Sequence, residues 1–417
     1  MNQKTVKTPI PQGAMGWSAI GKEEIDAVTA LLQTPQNLFR VRGGGTSECQ
    51  RLEQNICKKT GAEYALFLAS GTGALSCCLT GFGIGPGDEV IVPAYTFIAT
   101  PAAVVDVGAV PVIAEIDDSL GMDPADLEKK ITPYTKAVIV VHMVGVPARL
   151  DAIRAVCKKH NLVLIEDCCQ AIGATYKGKY CGMESDAFAW STNFFKVITC
   201  GEGGVFMTNN PVAFQRGVYQ SDNGLNSVGQ DHPTKKDIVP FVRSGIRGNE
   251  IAAAVLNVQL SKMDAILSHT RALKKNFFNQ LSPSENYKPQ HVDDPEGDCG
   301  FCVNLIMSDA AKIERILKLA QDEGLPLTKL YEAKLFEGGD LHIYSNWKPI
   351  LEKSSPTPAG YPWKDPAYKG NVEYSRDMCP NSTDILGRTV RLQFNINMAD
   401  ANINEFAAAL NKIDKEL

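Results

Sequence analysis

Between residues 62 and 210 the chain alternates short apolar runs with segments of helical spacing. The runs are AEYALFLA, EVIVPAY, VPVIAEID, KAVIVVHMVG, NLVLIED, DAFAWST and GGVFMTN. Most are rich in Val, Ile and aromatic residues and are apolar throughout rather than at alternate positions. That pattern suits strands covered on both faces of a mainly parallel sheet. Segments with helical spacing at residues 124–131 and 150–160 lie between runs, the second ended by Asn161. Strand, helix, strand in sequence implies right-handed crossovers and a doubly wound α/β layer.

Residues 249–273 (NEIAAAVLNVQLSKMDAILSHTRAL) predict one long helix that links this layer to the C-terminal part of the chain. Beyond it the texture changes: residues 283–308 read as loop and then strand, and residues 309–323 as helix. Residues 337–383 are loop-rich with many Pro, Tyr, Trp and Gly, and the ending TVRLQFNI–DANINEFAAALNKIDKEL reads as strand then helix. The expected organisation is a large unit over residues 46–265 and a smaller α+β unit over 266–417. Residues 1–45 are expected to pack on the small unit, with GKEEIDAVTALLQ as an amphipathic helix. No internal repeat or low-complexity segment is visible.

Composition narrows the functional class. A net charge of -5 over 417 residues, with no long Lys/Arg run, argues against a nucleic-acid or lipid-surface binder. The N-terminus lacks the apolar core of a signal peptide, and no stretch reads as a membrane span. Twelve cysteines include the adjacent pairs Cys77–Cys78 and Cys168–Cys169, which make awkward disulfide partners. Cys299 and Cys302 form a lone C-x-x-C without the further ligands a metal needs. The expectation is a cytoplasmic protein with reduced thiols and no metal.

Candidate chemistry lies at the carboxyl ends of the strands, the edge where open α/β sheets bind ligands. Lys196 sits in WSTNFFKVITCGEGG, between a strand and a glycine-rich turn. A lysine there is either a solvated surface residue or an amine held for imine chemistry. Ser191, five residues earlier, is placed to hold a phosphate oxygen. SGTGAL (residues 70–75) joins a strand to a helix. Its small residues and the helix N-terminus suit a phosphate, and the bland reading is a capped βα turn. Asp167 closes LVLIED. It could bind a metal, a ribose or a pyridine nitrogen, or cap the next helix. Gln170 lies one turn on. In PAYTFIAT, Tyr95 and Phe97 offer a ring for stacking, and for Tyr95 core packing is the preferred reading. Each signal alone is weak, but their order along one sheet edge is not.

SGTGAL, GDEVIVPAYTF, GAVPVIAEID, ITPYTKAVIVVH, EDCCQAIGATYKGKYCG and S-x-x-x-x-K-V-I-T-C-G-E-G-G together resemble the DegT/DnrJ/EryC1/StrS sugar aminotransferases, over residues 20–270 densely and loosely beyond. The resemblance implies the pyridoxal 5'-phosphate (PLP) transferase fold of type I: a mostly parallel seven-stranded sheet with a smaller C-terminal α+β domain. It implies that Lys196 carries the cofactor as a Schiff base and moves protons, and that Asp167 pairs with the pyridine nitrogen. It further implies Gln170 beside the ring hydroxyl, Phe97 stacked on the ring, and the phosphate on Ser70, Gly71, Thr72, Gly73 and Ser191. A homodimer, an amino-acid donor such as glutamate and a keto-sugar acceptor come with it.

Within the family, DDPEGD (293–298), NWKPI (346–350) and the long loop before GRTVRL resemble transaminases that form 8-amino-3,8-dideoxy-manno-octulosonate, an amino form of the lipopolysaccharide sugar Kdo. An 8-oxo-Kdo acceptor is the corresponding expectation. Alternatives are an acceptor that is a nucleotide-linked sugar or a cyclitol, a PLP-dependent dehydratase or lyase, and a non-catalytic sensor. Family dehydratases carry His at the lysine position, and the joint presence of Asp167, Gln170, Ser191 and Lys196 argues against a sensor.

Four positions depart from the family pattern. Gly73 stands where Ala is usual, and Gly245–Ile246–Arg247 replaces an N-x-R whose Asn reaches the partner's phosphate, with Asn249 or Ser244 as candidate substitutes. Phe194 and Phe195 precede Lys196 in a stretch that is commonly more polar. SDNG (221–224) replaces a His-bearing turn. Acceptor choice is expected to rest on loops near residues 20–45, 221–245 and 325–380.

Overall fold

The computed structural model describes residues 4–34, 38, 40, 47–225, 238–331 and 339–417; the acceptor loops near 20–45, 221–245 and 325–380 lie partly outside them. Each of the seven apolar runs forms a strand. They are β1 (Tyr64–Leu68), β2 (Glu89–Pro93), β3 (Val110–Ala114), β4 (Thr135–Val141) and β5 (Val163–Asp167), then, after a small hairpin of β6 (Thr175–Tyr176) and β7 (Lys179–Tyr180), β8 (Ala187–Ser191) and β9 (Gly204–Thr208). The sheet order is β1-β9-β8-β5-β4-β2-β3. β9 pairs antiparallel with both neighbours and the other pairings are parallel.

The continuous apolar runs have a direct cause: both faces of the sheet are buried. Val138 and Val140 point into one core and Ala137, Ile139 and Val141 into the other. The first core is closed by helices α3 (Glu48–Thr60), α6 (Pro124–Lys130) and α7 (Leu150–His160), through Leu52, Ile56, Leu127 and Ile153. The second is closed by α4 (Gly71–Gly81), α5 (Ala99–Asp106) and α8 (Pro211–Ser221), through Leu75, Leu79, Val104 and Phe214. Asn161, at φ 54°, takes the left-handed position that ends α7.

α9 (Glu250–Asn279) runs six residues beyond the predicted end. By length and composition it could cross a bilayer, but it is a core helix. Leu256, Leu260, Met263 and Leu267 pack into the first core, and Leu273 and Phe277 into a third. That third core lies under the sheet β10-β11-β13-β12, built from β10 (Tyr287–Pro289), β11 (Cys302–Met307), β12 (Thr328–Lys329) and β13 (Thr389–Gln393). It is covered by α10 (Ile313–Glu323) and α13 (Asp400–Asp414). Cys299 and Cys302 are buried in separate cores, and all twelve cysteines are free thiols.

The N-terminal segment divides, against the expectation that all of it packs on the small unit. Residues 4–9 do: Val6 enters the third core, Thr8 N–H bonds Glu405 at 2.8 Å and Asn402 bonds the Pro9 carbonyl at 3.0 Å. The short α1 (Met15–Ser18) and α2 (Lys22–Leu32) instead lie on the large unit and the near half of α9. The reason is polar: Glu24, buried within α2, bonds Gln259 at 2.8 Å and Lys262 at 2.7 Å.

Candidate active site

The carboxyl ends of β2, β4, β5 and β8 and the N-terminus of α4 open onto one cavity of about 430 Å³. Ser70, Gly71, Thr72, Phe97, Asp167, Gln170, Ser191 and Lys196 all line it, so eight of the nine candidate residues share one cleft. Gly73 stands just behind, its N–H bonded to Ser70 Oγ at 3.1 Å. Tyr95 is buried beneath the cleft and its hydroxyl accepts from Arg391, a core role.

At the α4 end, Ser70 caps the helix, and the amides of Gly71 and Thr72 have no intrahelical carbonyl to bond. A Cβ on Gly71 would stand 2.6 Å from Ser191 Cβ and 3.0 Å from Cys169 Sγ. The glycine thus lets the helix terminus meet the Ser191 hydroxyl. On Gly204, the last of GEGG, a Cβ would meet the Ser70 carbonyl oxygen at 2.3 Å. A Cβ on Gly73 would press Ile246 Cδ1 at 2.9 Å. The glycine at 73 and the G-I-R stretch are therefore linked in space.

Asp167 is 4% exposed and fixed on both oxygens. Thr100 Oγ1 donates to Oδ2 at 2.8 Å, and the Cys169 amide donates to Oδ1 at 3.0 Å. Thr96 stands 2.7 Å behind Thr100. Burial, reinforced by the Asp167 charge, pushes the Cys169 thiol well above its ordinary value, so it lines the cavity as a neutral group. Gln170 Oε1 accepts the Val144 amide at 3.3 Å, which orients its amide in the cavity wall. Behind the strands, His142, Glu166 and Cys168 bring ligand atoms within 4.8 Å of one another. Both ring nitrogens of His142 are engaged, Nε2 with Glu166 at 3.0 Å and Nδ1 with the Ala148 amide at 3.0 Å, which makes the group a hydrogen-bonded brace.

Lys196 follows a tight turn in which its N–H bonds the Asn193 carbonyl at 3.1 Å, and its side chain is half-buried. The two phenylalanines before it point outward: Phe195 is 73% exposed and lines the mouth, and Phe194 packs against Trp17 at 5.4 Å. Opposite stands His342, which residue patterns did not single out. Its ring lies 5.2 Å from Phe97, and its Nδ1 is 2.6 Å from Asp340 Oδ1. The loop carrying it docks on the Phe97 turn through Thr96 N–H to the His342 carbonyl, 2.9 Å, and Ile98 N–H to the Leu341 carbonyl, 2.9 Å. NWKPI braces that loop: Asn346 donates to the Asp340 carbonyl at 3.0 Å and Trp347 to the Leu341 carbonyl at 2.7 Å. Thr96, Thr100, Asn193, Glu202 and His342 are thus site residues that sequence reasoning missed. Thr96 and Thr100 flank Phe97 in the quoted PAYTFIAT run, and Glu202 lies in GEGG, so their positions were readable; His342 carried no local signal.

Two expected features lie elsewhere. Asn249 caps α9 by accepting the Ala252 amide at 2.9 Å, so its side-chain oxygen already serves a helix. DDPEGD packs on the β6–β7 hairpin, with Asp294 accepting the Lys177 amide at 2.6 Å, and contributes nothing to the cleft. Part of it borders a larger cavity of about 620 Å³ beside the far half of α9. No candidate residue lines that cavity. Its Lys274 is paired with Asp298, and Arg271 donates to backbone carbonyls.

A doubly wound sheet with a capped helix terminus, a buried carboxylate and a lysine at one edge fits the PLP-dependent transferase class. The chain belongs to the DegT/DnrJ/EryC1/StrS aminotransferase family, whose model matches residues 18–337, and it is a PLP-dependent transaminase. It is 32% identical over 337 residues to a Micromonospora echinospora protein assigned as an L-glutamine:3-amino-2,3-dideoxy-scyllo-inosose aminotransferase, covering 80% of this chain and 77% of that one. The crystal structure of 3-amino-5-hydroxybenzoic acid synthase superposes with a TM-score of 0.78 at 22% identity, over 100% of both chains. A GDP-4-keto-6-deoxymannose-3-dehydratase superposes at 0.75 and 18% identity, over 96% of this chain and 100% of that one. At such identities the likeness establishes the fold, which aminotransferases and dehydratases share.

Proposed function

We propose that Lys196 is the amine that carries the cofactor, and that the enzyme moves an amino group from glutamate to the ketone of a polyhydroxylated ring, a sugar or a cyclitol. The observation that carries this reading is the meeting of Asp167 and Lys196 in one cleft whose far end is the open terminus of α4. The residues fit the group. The free amides of Gly71 and Thr72 and the Ser191 hydroxyl suit its phosphate, Asp167 suits its ring nitrogen, and Phe97 and Gln170 suit its ring. When bound, PLP supplies an electron sink and a carbonyl that exchanges amines. Asp167, oriented by two hydrogen-bond donors, holds a proton at the ring nitrogen. Lys196 Nζ takes the proton from the donor's α-carbon and later delivers one to the acceptor's former carbonyl carbon. A lysine rather than a histidine at position 196 favours amino transfer over dehydration.

The acceptor has two finer readings. The relative assigned to a scyllo-inosose derivative favours a cyclitol, with glutamine as a further donor. The resemblance of NWKPI and of the long loop before GRTVRL to 8-amino-Kdo transaminases is the ground for 8-oxo-Kdo, and NWKPI braces the His342 loop at the mouth. A cytoplasmic homodimer is the working form we infer: the free cysteines support a reducing compartment, and the exposed Trp17, Phe194 and Phe195 support a partner at the mouth. The experiment is an acceptor screen with glutamate and glutamine as donors, mass-spectrometric detection of the amine, and the visible absorption band followed in parallel. The band should bleach on adding glutamate and return with the right keto compound. A band that no amino donor bleaches would overturn the proposal in favour of a lyase.

A further inference from the structure

The N-terminal segment reaches the Lys196 turn from outside the sheet and holds one end directly and the other through Gln259 of α9. Gly16, buried in α1, donates its N–H to the Lys196 carbonyl at 2.9 Å. A Cβ on Gly16 would stand 2.7 Å from that carbonyl oxygen, 2.9 Å from Thr199 N and 3.0 Å from the Ile198 carbonyl carbon. All three are backbone atoms, so no rotamer change relieves the contact. Either α1 or the Lys196 peptide must move.

The second grip is at Thr199. Its N–H donates to Gln259 Oε1 at 3.3 Å, and Gln259 Nε2 donates to Glu24 Oε1 at 2.8 Å. Glu24 is fixed in turn by the Gly21 amide at 2.8 Å and by Lys262, which also donates to the Ala19 carbonyl at 2.9 Å. Between the two grips Val197 and Ile198 are buried in the same core as Met15.

We propose that Gly16 on α1 and Glu24 on α2 form a positioning strut for Lys196, with Gly16 as its contact point because only a residue without a side chain lets α1 approach the lysine's own peptide. This rests on the assignment of Lys196 as the cofactor-bearing amine. A lysine side chain has four rotatable bonds and about 2 kcal/mol of rotamer entropy. Its reach into the cleft is therefore defined only if its backbone is held. A displacement of about 1 Å at such a site costs on the order of 10²-fold in rate.

The test uses the full chain stripped of cofactor. PLP affinity is read from the visible band, the rate of borohydride-trappable attachment is mapped to Lys196 by peptide analysis, and the melting temperature is taken without cofactor. Gly16→Ala should bind PLP about tenfold more weakly and attach it at least as much more slowly, the scale of an overpacked buried contact. It should also shift the pH midpoint of the visible band, a readout that mere loosening of the fold does not move. Glu24→Ala acts by removing the second grip rather than by a clash, and should do the same to a smaller degree, so it decides the question if Gly16→Ala fails to fold. Ser18→Ala removes a bond from Ser18 Oγ to the Ala14 carbonyl, 2.8 Å, within the same segment, and should match the parent. Affinity and attachment within twofold of the parent in both Gly16→Ala and Glu24→Ala overturn the strut, and so does an equal loss in Ser18→Ala. If the parent protein itself traps no cofactor on Lys196, the assignment of the lysine fails, and the strut with it.

Discussion

The floor of the cleft and its rim are built differently. Asp167, Ser191 and Gly71 on the floor are buried, sit at strand or helix termini, and are tied by hydrogen bonds or by contacts too close for one more methyl group. Phe195 and His342 on the rim come from loops, and Phe195 leaves 73% of its surface exposed. On the proposed reading the floor holds what every turnover shares, a phosphate and an aromatic ring, and the rim meets what differs between substrates. Fixed geometry belongs on regular elements and selection on loops a scaffold presents.

If that division is right, floor substitutions harm both half-reactions and rim substitutions only one. The largest effect is expected of Lys196→Ala: loss of turnover by about 10³-fold or more, since the proton carrier and the attachment point vanish together. PLP binding should survive in part through the α4 terminus and Asp167. Equilibrium dialysis and single-turnover kinetics with glutamate measure the two separately. Next comes Gly71→Ala. The added methyl would sit 2.6 Å from Ser191 Cβ, and overpacking of that kind costs about 1–3 kcal/mol. PLP affinity should fall by roughly 5- to 150-fold at that cost, read by absorbance titration. An unchanged affinity would show that the phosphate does not use this end of the cleft.

The same division explains what the sequence could disclose. All seven strands of the large sheet were readable, because burial on both faces leaves an unbroken apolar run such as KAVIVVHMVG, whose alternate residues enter two different cores. The floor was readable for a related reason: a strand end followed by Asp167, or by SGTG, places chemistry at fixed offsets from a pattern already recognised. β9's antiparallel direction was not readable, since an apolar run carries no sign. Nor was His342. It arrives by a loop whose docking depends on Trp347 and Asn346 bonding backbone carbonyls, and nothing near residue 342 signals a neighbour at residue 97. The split of the N-terminus was hidden likewise, being set by Glu24 meeting Gln259, 235 positions away.

A rim substitution sharpens the contrast. Phe195→Ser removes an exposed aromatic surface at the mouth but no floor contact. The donor half-reaction with glutamate should stay within about twofold. The KM for the acceptor found by the screen should rise by about 3- to 10-fold, the scale of losing one ring-stacking contact of about 0.5–1.5 kcal/mol. Equal losses in both half-reactions would erase the distinction between floor and rim at this residue.

The smallest effect is expected where the rim is held to its loop. Burial alone would raise the Asp340 carboxyl, but the His342 hydrogen bond and charge outweigh it and hold Asp340 below the ordinary carboxylate value of 3.8. A carboxyl lowered by folding stabilises the native state above its unfolded value and loses that contribution as the pH falls through its folded one. On the carboxyl's side the contribution is therefore fully present from about pH 5 upward. The hydrogen-bond part does not need a charged imidazole, because a neutral ring with its hydrogen on Nδ1 also donates to Asp340, whereas the charge part does. Both side chains are more than a third exposed, so solvent limits the pair to about 0–1 kcal/mol. Asp340→Asn should thus lower the melting temperature by a small amount at about pH 5 and converge with the parent as the pH falls below about 4. A gap that instead widened as the pH fell would mean that His342 is held by some other group, and that the rim is fixed as firmly as the floor.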